Sequence, residues 1–401
     1  MEICERSRCT GCQVCMNVCP RNAISFVEDE RGFSYPEISD ECINCGACQK
    51  VCPRESGTML NPPNENNVYA AFSKDKAIRM CSSSGGLFSE IATSVLSKGG
   101  LVFATKFDSD CRGVSFACCD SIEKLSAFRG SKYIQSIPGM VYKDVKSSLQ
   151  MGKTILFIGV PCQVDALKKF LGCDYPNLLT IDIICHGVPS PKLWRDYCQI
   201  IETRNRSCVV GANFRYKKPS WTRFSIKTKL ENGKEVVSSK FDDPYLISFL
   251  KEISMRENCY QCEYTSTKRA GDITLADFWG YQSRTFKMRN TEEGISLVLI
   301  NTKKGEDAFK EIEDKIFVQK RTLKEAIQGN RSLSEPWKKN SISDEFWDEY
   351  LKGKGVEVAF QKYCRPYRVP LKMYANWFIA NHMFMVPKCI LLMRKKLKKE
   401  K

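Results

Sequence analysis

Histidine is nearly missing from this chain: there are two, His186 and His382, among 401 residues. His-based acid–base catalysis therefore has little to draw on. G-x-G-x-x-G and G-x4-G-K followed by Ser or Thr are absent too, so neither a Rossmann NAD site nor a P-loop is expected. The N-terminal "MEICERSRCTGC" has no apolar h-region and no small-residue cleavage site, so no secretory signal is read and a cytoplasmic location is expected. Zinc-finger, helix-turn-helix and RNA-binding patterns are also lacking, which argues against nucleic acid as the partner of a chain with net charge +16.

Cysteine, by contrast, is abundant. Twenty-two cysteines in a chain long enough to bury a full core point to thiolate ligands in a reducing compartment, not to disulfide staples. "CTGCQVCMNVCP" recurs thirty-three residues on as "CINCGACQKVCP". C-x2-C-x2-C-x3-C-P twice over is the two-cluster bacterial ferredoxin pattern, in which each fourth cysteine ligates the other cluster. The spacing therefore assigns Cys9, Cys12, Cys15 and Cys52 to one 4Fe–4S cluster, and Cys42, Cys45, Cys48 and Cys19 to a second. Zinc knuckles would need paired C-x2-C units and neither the third cysteine nor the proline. Cys4 lies outside the pattern and reads as a spare thiol. Between the motifs, "NAISFVEDERGFSYPEI" predicts two short strands around Arg31-Gly32.

After the Pro/Asn-rich stretch "MLNPPNENN" the pattern becomes an α/β alternation. "GGLVFATKF", "KTILFIGV" and "LLTIDII" read as strands buried on both faces. Cys162 and Cys185 follow the second and third of these, where α/β sheets collect ligands. If those strands are neighbours, "CYQC" (Cys259, Cys262) completes a four-thiolate site, with Cys81 as the reserve ligand. The alternative for Cys162 or Cys185 alone is a small buried core residue. Cys111, Cys118, Cys119, Cys173, Cys198, Cys208, Cys364 and Cys389 show no ligand spacing and read as structural.

"SSSGGLFSEIATSVL" sets Ser83, Ser84, Gly85 and Gly86 before an amphipathic helix: an anion site for a cofactor phosphate, or a plain N-cap with a turn. "FRGSKYIQS" supplies Arg129, Ser131, Lys132 and Tyr133, which suit a dinucleotide or flavin phosphate, or form a solvated basic loop. His186 is the candidate proton donor, with loop orientation as the alternative. Asp272 and Asp277 in "DITLADFWG" are an acidic pair or, preferred, a strand-end turn in which Asp277 bonds locally.

The succession of twin-cluster module, "SSSGG", "RGSKYIQS", "GVPCQ", "CHGVPS", "CYQC" and "DITLADFWG" resembles, over residues 1–305, the β-subunit family of deazaflavin (coenzyme F420) hydrogenases and dehydrogenases, a family that itself resembles 7-hydroxymethyl chlorophyll a reductase. The resemblance implies FAD, contacted by "SSSGG" and "RGSKY", exchanging electrons with the clusters and with a deazaflavin or an organic substrate. It also implies an additional 4Fe–4S cluster at Cys162, Cys185, Cys259 and Cys262. Chains of this type also resemble proteins associated with surface-polysaccharide synthesis. The expected fold is α+β or α/β: a two-cluster bacterial ferredoxin fold at 1–58, a linker at 59–67, a mixed α/β flavin-binding domain at 68–330, and a helical C-terminal extension at 331–401. The expected activity is an iron–sulfur flavoprotein oxidoreductase, fed by reduced ferredoxin, a deazaflavin or another redox partner; the alternative is a non-catalytic electron-transfer subunit.

Charge is uneven. Residues 1–58 carry six Lys/Arg against nine Asp/Glu, while residues 388–401 carry seven basic groups and one Glu. The apolar, aromatic stretch before that basic end is broken by Asn376, Asn381, His382, Pro387 and Lys388, which is poor for a spanning helix. It reads as a peripheral membrane anchor or as a docked helix with a frayed end.

Overall fold

The computed structural model describes residues 2–282 and 291–367. The membrane-anchor reading of the tail, with His382 and Cys389, lies outside them. Among the described residues no helix is long and apolar enough to cross a membrane.

The N-terminal module has the expected plan. A first cysteine loop leads into α1 (Val14–Val18), the hairpin β1 (Ile24–Glu28) and β2 (Ser34–Ile38) pairs antiparallel from Ile24↔Ile38 to Glu28↔Ser34, and a second loop leads into α2 (Ala47–Lys50). Gly32 turns the hairpin at φ +80°, and a Cβ there would lie 2.2 Å from Lys192 Cβ, so only glycine lets the turn press against the body.

The body is built on an eight-stranded sheet. Its strands are β3 (Val68–Ser73), β4 (Leu101–Phe107), β5 (Val114–Cys119), β6 (Ile155–Gly159), β7 (Leu178–Ile183), β11 (Ile273–Asp277), β12 (Ser296–Ile300) and β13 (Ile316–Arg321). The order β13-β3-β12-β11-β7-β6-β4-β5 has four central parallel strands, β11 to β4, flanked by antiparallel ones. The three strands expected from "GGLVFATKF", "KTILFIGV" and "LLTIDII" are adjacent here. Along β6, Leu156 packs with Leu87 and Ile91 of α4 (Leu87–Ser97), while Ile155 and Phe157 pack with Val145 of α5 (Val141–Gln150) and Val164 of α6 (Pro161–Leu171). Both faces are covered, which is why the run is apolar throughout.

A second core joins what the sequence divides. Trp194 of α7 (Pro191–Asn205) packs on Phe214 of β8 (Val209–Tyr216) and Tyr245 of α8 (Pro244–Leu250), at ring separations of 4.8 and 5.2 Å. Its indole N–H donates to the carbonyl of Cys111. The same core contains Cys9, Phe33 and Tyr35 of the N-terminal module and Phe346, Trp347 and Phe360 of the extension, from α11 (Ser343–Glu349) and α12 (Gly355–Tyr363). β8 continues into a small antiparallel sheet with β9 (Ser225–Leu230) and β10 (Glu235–Ser239). Residues 59–67 are pinned to the body: Met59 N–H donates to Asp165 Oδ1 and Asn61 pairs with Arg269.

Asp243 caps α8, accepting from the Leu246 N–H at 2.9 Å and from the Tyr197 hydroxyl. Burial raises its carboxyl from 3.8 to about 6, against the opposing effect of those hydrogen bonds. A carboxyl raised on folding holds its proton more tightly in the folded state. Its contribution is therefore complete below about pH 4 and is lost as pH rises through about 6. Asp243→Asn, which never charges, should gain on the wild type by about 1 kcal/mol between pH 5 and pH 8. Thermal unfolding midpoints of both proteins at the two pH values check this; a pH-independent difference would contradict it.

Candidate functional site

Gly11 at φ +69° and Gly46 at φ +72° put a left-handed turn into each of the two cysteine loops. Cys52, from the end of the second repeat, joins Cys9, Cys12 and Cys15. Burial first, then neighbouring thiolates of this set, pushes Cys12 up to about 12 and Cys15 higher. Cys19, from the first repeat, lines one cavity with Cys42, Cys45 and Cys48. The fold thus brings Cys52 near the first group and Cys19 near the second. Cys4, read as spare, lies against Cys9 and Cys52: its thiol hydrogen-bonds both, the main reason Cys9 is lowered to about 6.

The sequence left Cys162 and Cys185 dependent on one condition, that their strands adjoin. β6 and β7 pair in parallel from Ile155↔Leu178 to Gly159↔Asp182. Cys162 sits in the first turn of α6, just after Pro161, and Cys185 just beyond β7. Cys259 and Cys262 lie on a 3-10 turn, Glu257–Gln261, and at its end. The loop of Cys185 is tied to this turn, since Arg256 N–H donates to the Val188 carbonyl at 3.0 Å and Pro189 bridges Met255. All four thiols are raised, chiefly by burial; Cys162 further feels Cys262, Cys185 and Cys259, and Cys259 feels Cys185 and Cys262. Four neutral thiols are what this pocket favours until a metal centre takes their protons. Cys81 ends α3 (Lys76–Cys81), exposed. Among the described residues, no three His, Cys, Asp or Glu side chains converge closely enough for a single metal ion. A cubane asks for less convergence, since each thiolate binds its own corner iron.

The first and third groups adjoin. Cys12 acts on Cys162, and Tyr142, which donates to the Cys12 carbonyl at 2.9 Å, lies against both thiols. Arg269 braces the third site from below, donating to the carbonyls of Tyr264 and Ile183 at 3.1 Å and pairing with Asp182 at 3.2 Å.

The serine and basic loops also meet. Ser83 Oγ accepts from the Ser131 N–H at 2.6 Å, and Arg129 Nε donates to Ser89 Oγ, in the first turn of α4, at 3.0 Å. Ser84 Oγ donates to the Ile295 carbonyl. Lys132 is turned inward: its ammonium donates to the carbonyls of Phe128, Arg129 and Gly130, and burial lowers it to about 7. The glycines have backbone duties. A Cβ on Gly85 would meet the Ala71 carbonyl at 2.5 Å, and Gly86 is the N-cap of α4 at φ +95°. Glu90, buried in the first turn of α4, accepts from Ser73 Oγ–H and already supplies a carboxylate there. Asp272 is held by Thr180 and Thr302. Asp277, expected to bond locally, instead reaches across to a bidentate pair with Arg215 and accepts from the Trp221 indole at 2.7 Å.

His186 is wedged between Phe249 and Trp337, at ring separations of 4.9 and 4.5 Å. Its Nε2 is 3.2 Å from Glu252 Oε1 but misaligned for a hydrogen bond. Phe249 continues to Tyr133 at 4.7 Å, and Tyr133 Oη accepts from Arg215 at 3.2 Å. An aromatic bridge thus connects the loop of Cys185 with the basic loop. Sequence reasoning missed Arg256, Arg215, Tyr142, Phe249 and Trp337. Only Arg256, three residues before Cys259, lay near a motif that could have drawn notice.

Residues 8–56 match the 4Fe-4S dicluster domain, and residues 152–326 match the family described as the C terminus of the coenzyme F420 hydrogenase/dehydrogenase beta subunit. An uncharacterized protein of Methanocaldococcus jannaschii is similar at 25% identity over 346 residues, 77% of this chain and 88% of the relative. A chain of the F420-reducing NiFe hydrogenase complex from Methanosarcina barkeri is similar at 17% identity and a TM-score of 0.46, over 71% of this chain and 99% of that one. An iron–sulfur dicluster module thus precedes a domain that matches the C terminus of the coenzyme F420 hydrogenase/dehydrogenase beta subunit.

Proposed function

We propose that the protein takes electrons singly from a reduced protein such as ferredoxin, or from a deazaflavin, and delivers them in pairs to a flavin-linked acceptor. The observation that carries this reading is contiguity. Cys42 and Cys45 present the outer ferredoxin site near the surface, Cys12 of the inner site is near enough to Cys162 to act on it electrostatically, and His186, Phe249 and Tyr133 lead from the third site to the loops at Ser83 and Ser131. Iron–sulfur centres supply one-electron transfer, and a flavin joins it to two-electron chemistry. The eight ferredoxin cysteines hold two 4Fe–4S clusters, and Cys162, Cys185, Cys259 and Cys262 hold a third. FAD rests at the serine and basic loops, with Arg129 the phosphate contact; Lys132 shapes the loop. His186 orients the loop that follows Cys185. An organic acceptor connected with surface-polysaccharide synthesis rests on the resemblance alone.

The test mixes anaerobic protein separately with reduced ferredoxin, reduced deazaflavin and NADH while following flavin bleaching. The first or second should bleach it; NADH should not, because no fingerprint places a nicotinamide there. Arg129→Glu should lower extractable flavin at least tenfold with iron unchanged, since a carboxylate would face the phosphate. Flavin-free wild type, or bleaching by NADH alone, would overturn the assignment. The family's description as a beta subunit favours a second reading, a subunit passing electrons to a partner that does the chemistry. Turnover by the isolated chain separates the two.

A further inference from the structure

Arg256 is fully buried, yet among the described residues it lacks the carboxylate partner that every other buried arginine has. Arg54, Arg79, Arg215, Arg269 and Arg321 each pair with a carboxylate: Glu263, Glu293, Asp277, Asp182 and Glu325. The Arg256 guanidinium donates instead to neutral oxygens: the Cys9 carbonyl at 2.8 Å, Gln135 Oε1 at 3.1 Å and the Ser34 carbonyl at 3.1 Å. It also lies 4.1 Å from the centre of the Tyr35 ring. Glu257, next in the chain, is turned to Lys339 at 3.6 Å. Among the described residues no carboxylate pairs with this cation.

A buried guanidinium cannot shed its proton and is costly without a counter-charge. The charge that would balance it belongs beside it. Its Nε is bonded to the backbone of Cys9 in the inner ferredoxin group, and its own main chain begins the turn that carries Cys259. The cysteine loop is pressed onto it, since a Cβ on Gly11 would lie 3.1 Å from Arg256 Nη1 and 2.4 Å from Gln135 Nε2. A cubane held by thiolates is an anion in both redox states, and more so when reduced, so burial by itself opposes its reduction. The inner cysteines Cys9, Cys12 and Cys15 are buried, whereas Cys45 of the outer group is exposed. Burial alone would thus make the inner cluster the harder of the two to reduce, and electron flow inward would run uphill.

We propose that Arg256 is the resident counter-cation of the inner ferredoxin cluster, raising its reduction potential so that electrons pass inward from the exposed cluster to the body. It is a positioning and tuning residue, with no bond made or broken as one electron arrives. The inference rests on the assignment of Cys9, Cys12, Cys15 and Cys52 to a cluster and needs nothing of the third site.

The test is a redox titration of the anaerobic full-length protein followed by electron paramagnetic resonance, with iron counted in each sample. Cys45→Ser, which perturbs the outer cluster alone, assigns the steps. Arg256→Gln keeps an amide donor for the Cys9 carbonyl and removes the charge; Arg256→Lys keeps the charge. At a fixed potential Arg256→Gln should lower the reduced-to-oxidised ratio of the inner cluster at least tenfold, which is about 59 mV for a one-electron couple. Arg256→Lys should stay within about threefold of wild type, and the outer step should not move in either. If Arg256→Gln loses its iron, the lysine variant decides alone, by the same threefold criterion. A small shift in Arg256→Gln with iron intact, equal shifts in both variants, or loss of iron from both would overturn the proposal and leave Arg256 a structural bracket. A wild type without reducible cluster signals would instead sink the cluster assignment itself.

Discussion

Replacing Cys259 and Cys262 together with serine is expected to lower the iron of anaerobically purified protein from about twelve to about eight atoms per chain, because each 4Fe–4S cubane holds four irons. The argument is geometric. The two thiols sit on one 3-10 turn and at its end, near Cys162 and Cys185, which leave the carboxyl ends of neighbouring parallel strands. Four half-buried thiols, three of them raised further by others of the set, are well matched to a metal centre that removes their protons. Removing two of the four ligands should empty that site and leave the eight ferredoxin cysteines untouched, since none of those is on the altered turn. Iron and acid-labile sulfide analysis of both proteins checks the expectation. Full iron in the double variant would show that "CYQC" holds nothing. About eight in the wild type would show that the third site is absent or holds zinc.

A second large effect is expected at Asp277. Its carboxylate makes a bidentate pair with Arg215 and accepts the Trp221 indole N–H. Arg215 also donates to Tyr133 Oη at 3.2 Å, and its guanidinium lies 4.3 Å from the centre of the Phe224 ring. Asp277→Ala leaves a buried guanidinium without its counter-charge and an indole N–H without an acceptor, a loss of about 3–5 kcal/mol. Asp277→Leu combined with Arg215→Met should recover most of it, because removing both charges removes the desolvation cost. Denaturant midpoints of the three proteins measure this. If the double variant is no more stable than Asp277→Ala, charge pairing is not what holds the two segments together. Because Arg215 also anchors Tyr133, the single variant should lose bound flavin along with stability.

What was readable before any fold was known is what local spacing encodes. The repeated C-x2-C-x2-C-x3-C-P carries its loop geometry within a dozen residues, so the ferredoxin groups and the hairpin around Gly32 followed directly. The apolar runs at β4, β6 and β7 announced a buried sheet because covering both faces leaves no room for alternation. Even the third cysteine group was half-legible, as two strand ends and an orphan pair awaiting one condition. Strand order, which no local pattern carries, met that condition.

The remainder was settled by contacts between residues far apart in sequence. Lys132 looked like an exposed cation beside a glycine, but three carbonyls of its own loop turn it inward. Asp277 looked like a local cap and instead crosses to Arg215, 62 positions away. The stretch at residues 59–67 leaves the N-terminal module one core of its own, around Ile24 and Cys48, yet Phe33, Trp194 and Trp347 share another across it. Arg256 could not be singled out by composition or period, since what distinguishes it is a missing partner. The sequence by itself determined how the thiols are spaced and where the chain turns, because these depend on neighbours within a loop. Tertiary structure alone decided which groups lie against one another and which charges are left to balance, because burial and pairing are properties of the assembled interior.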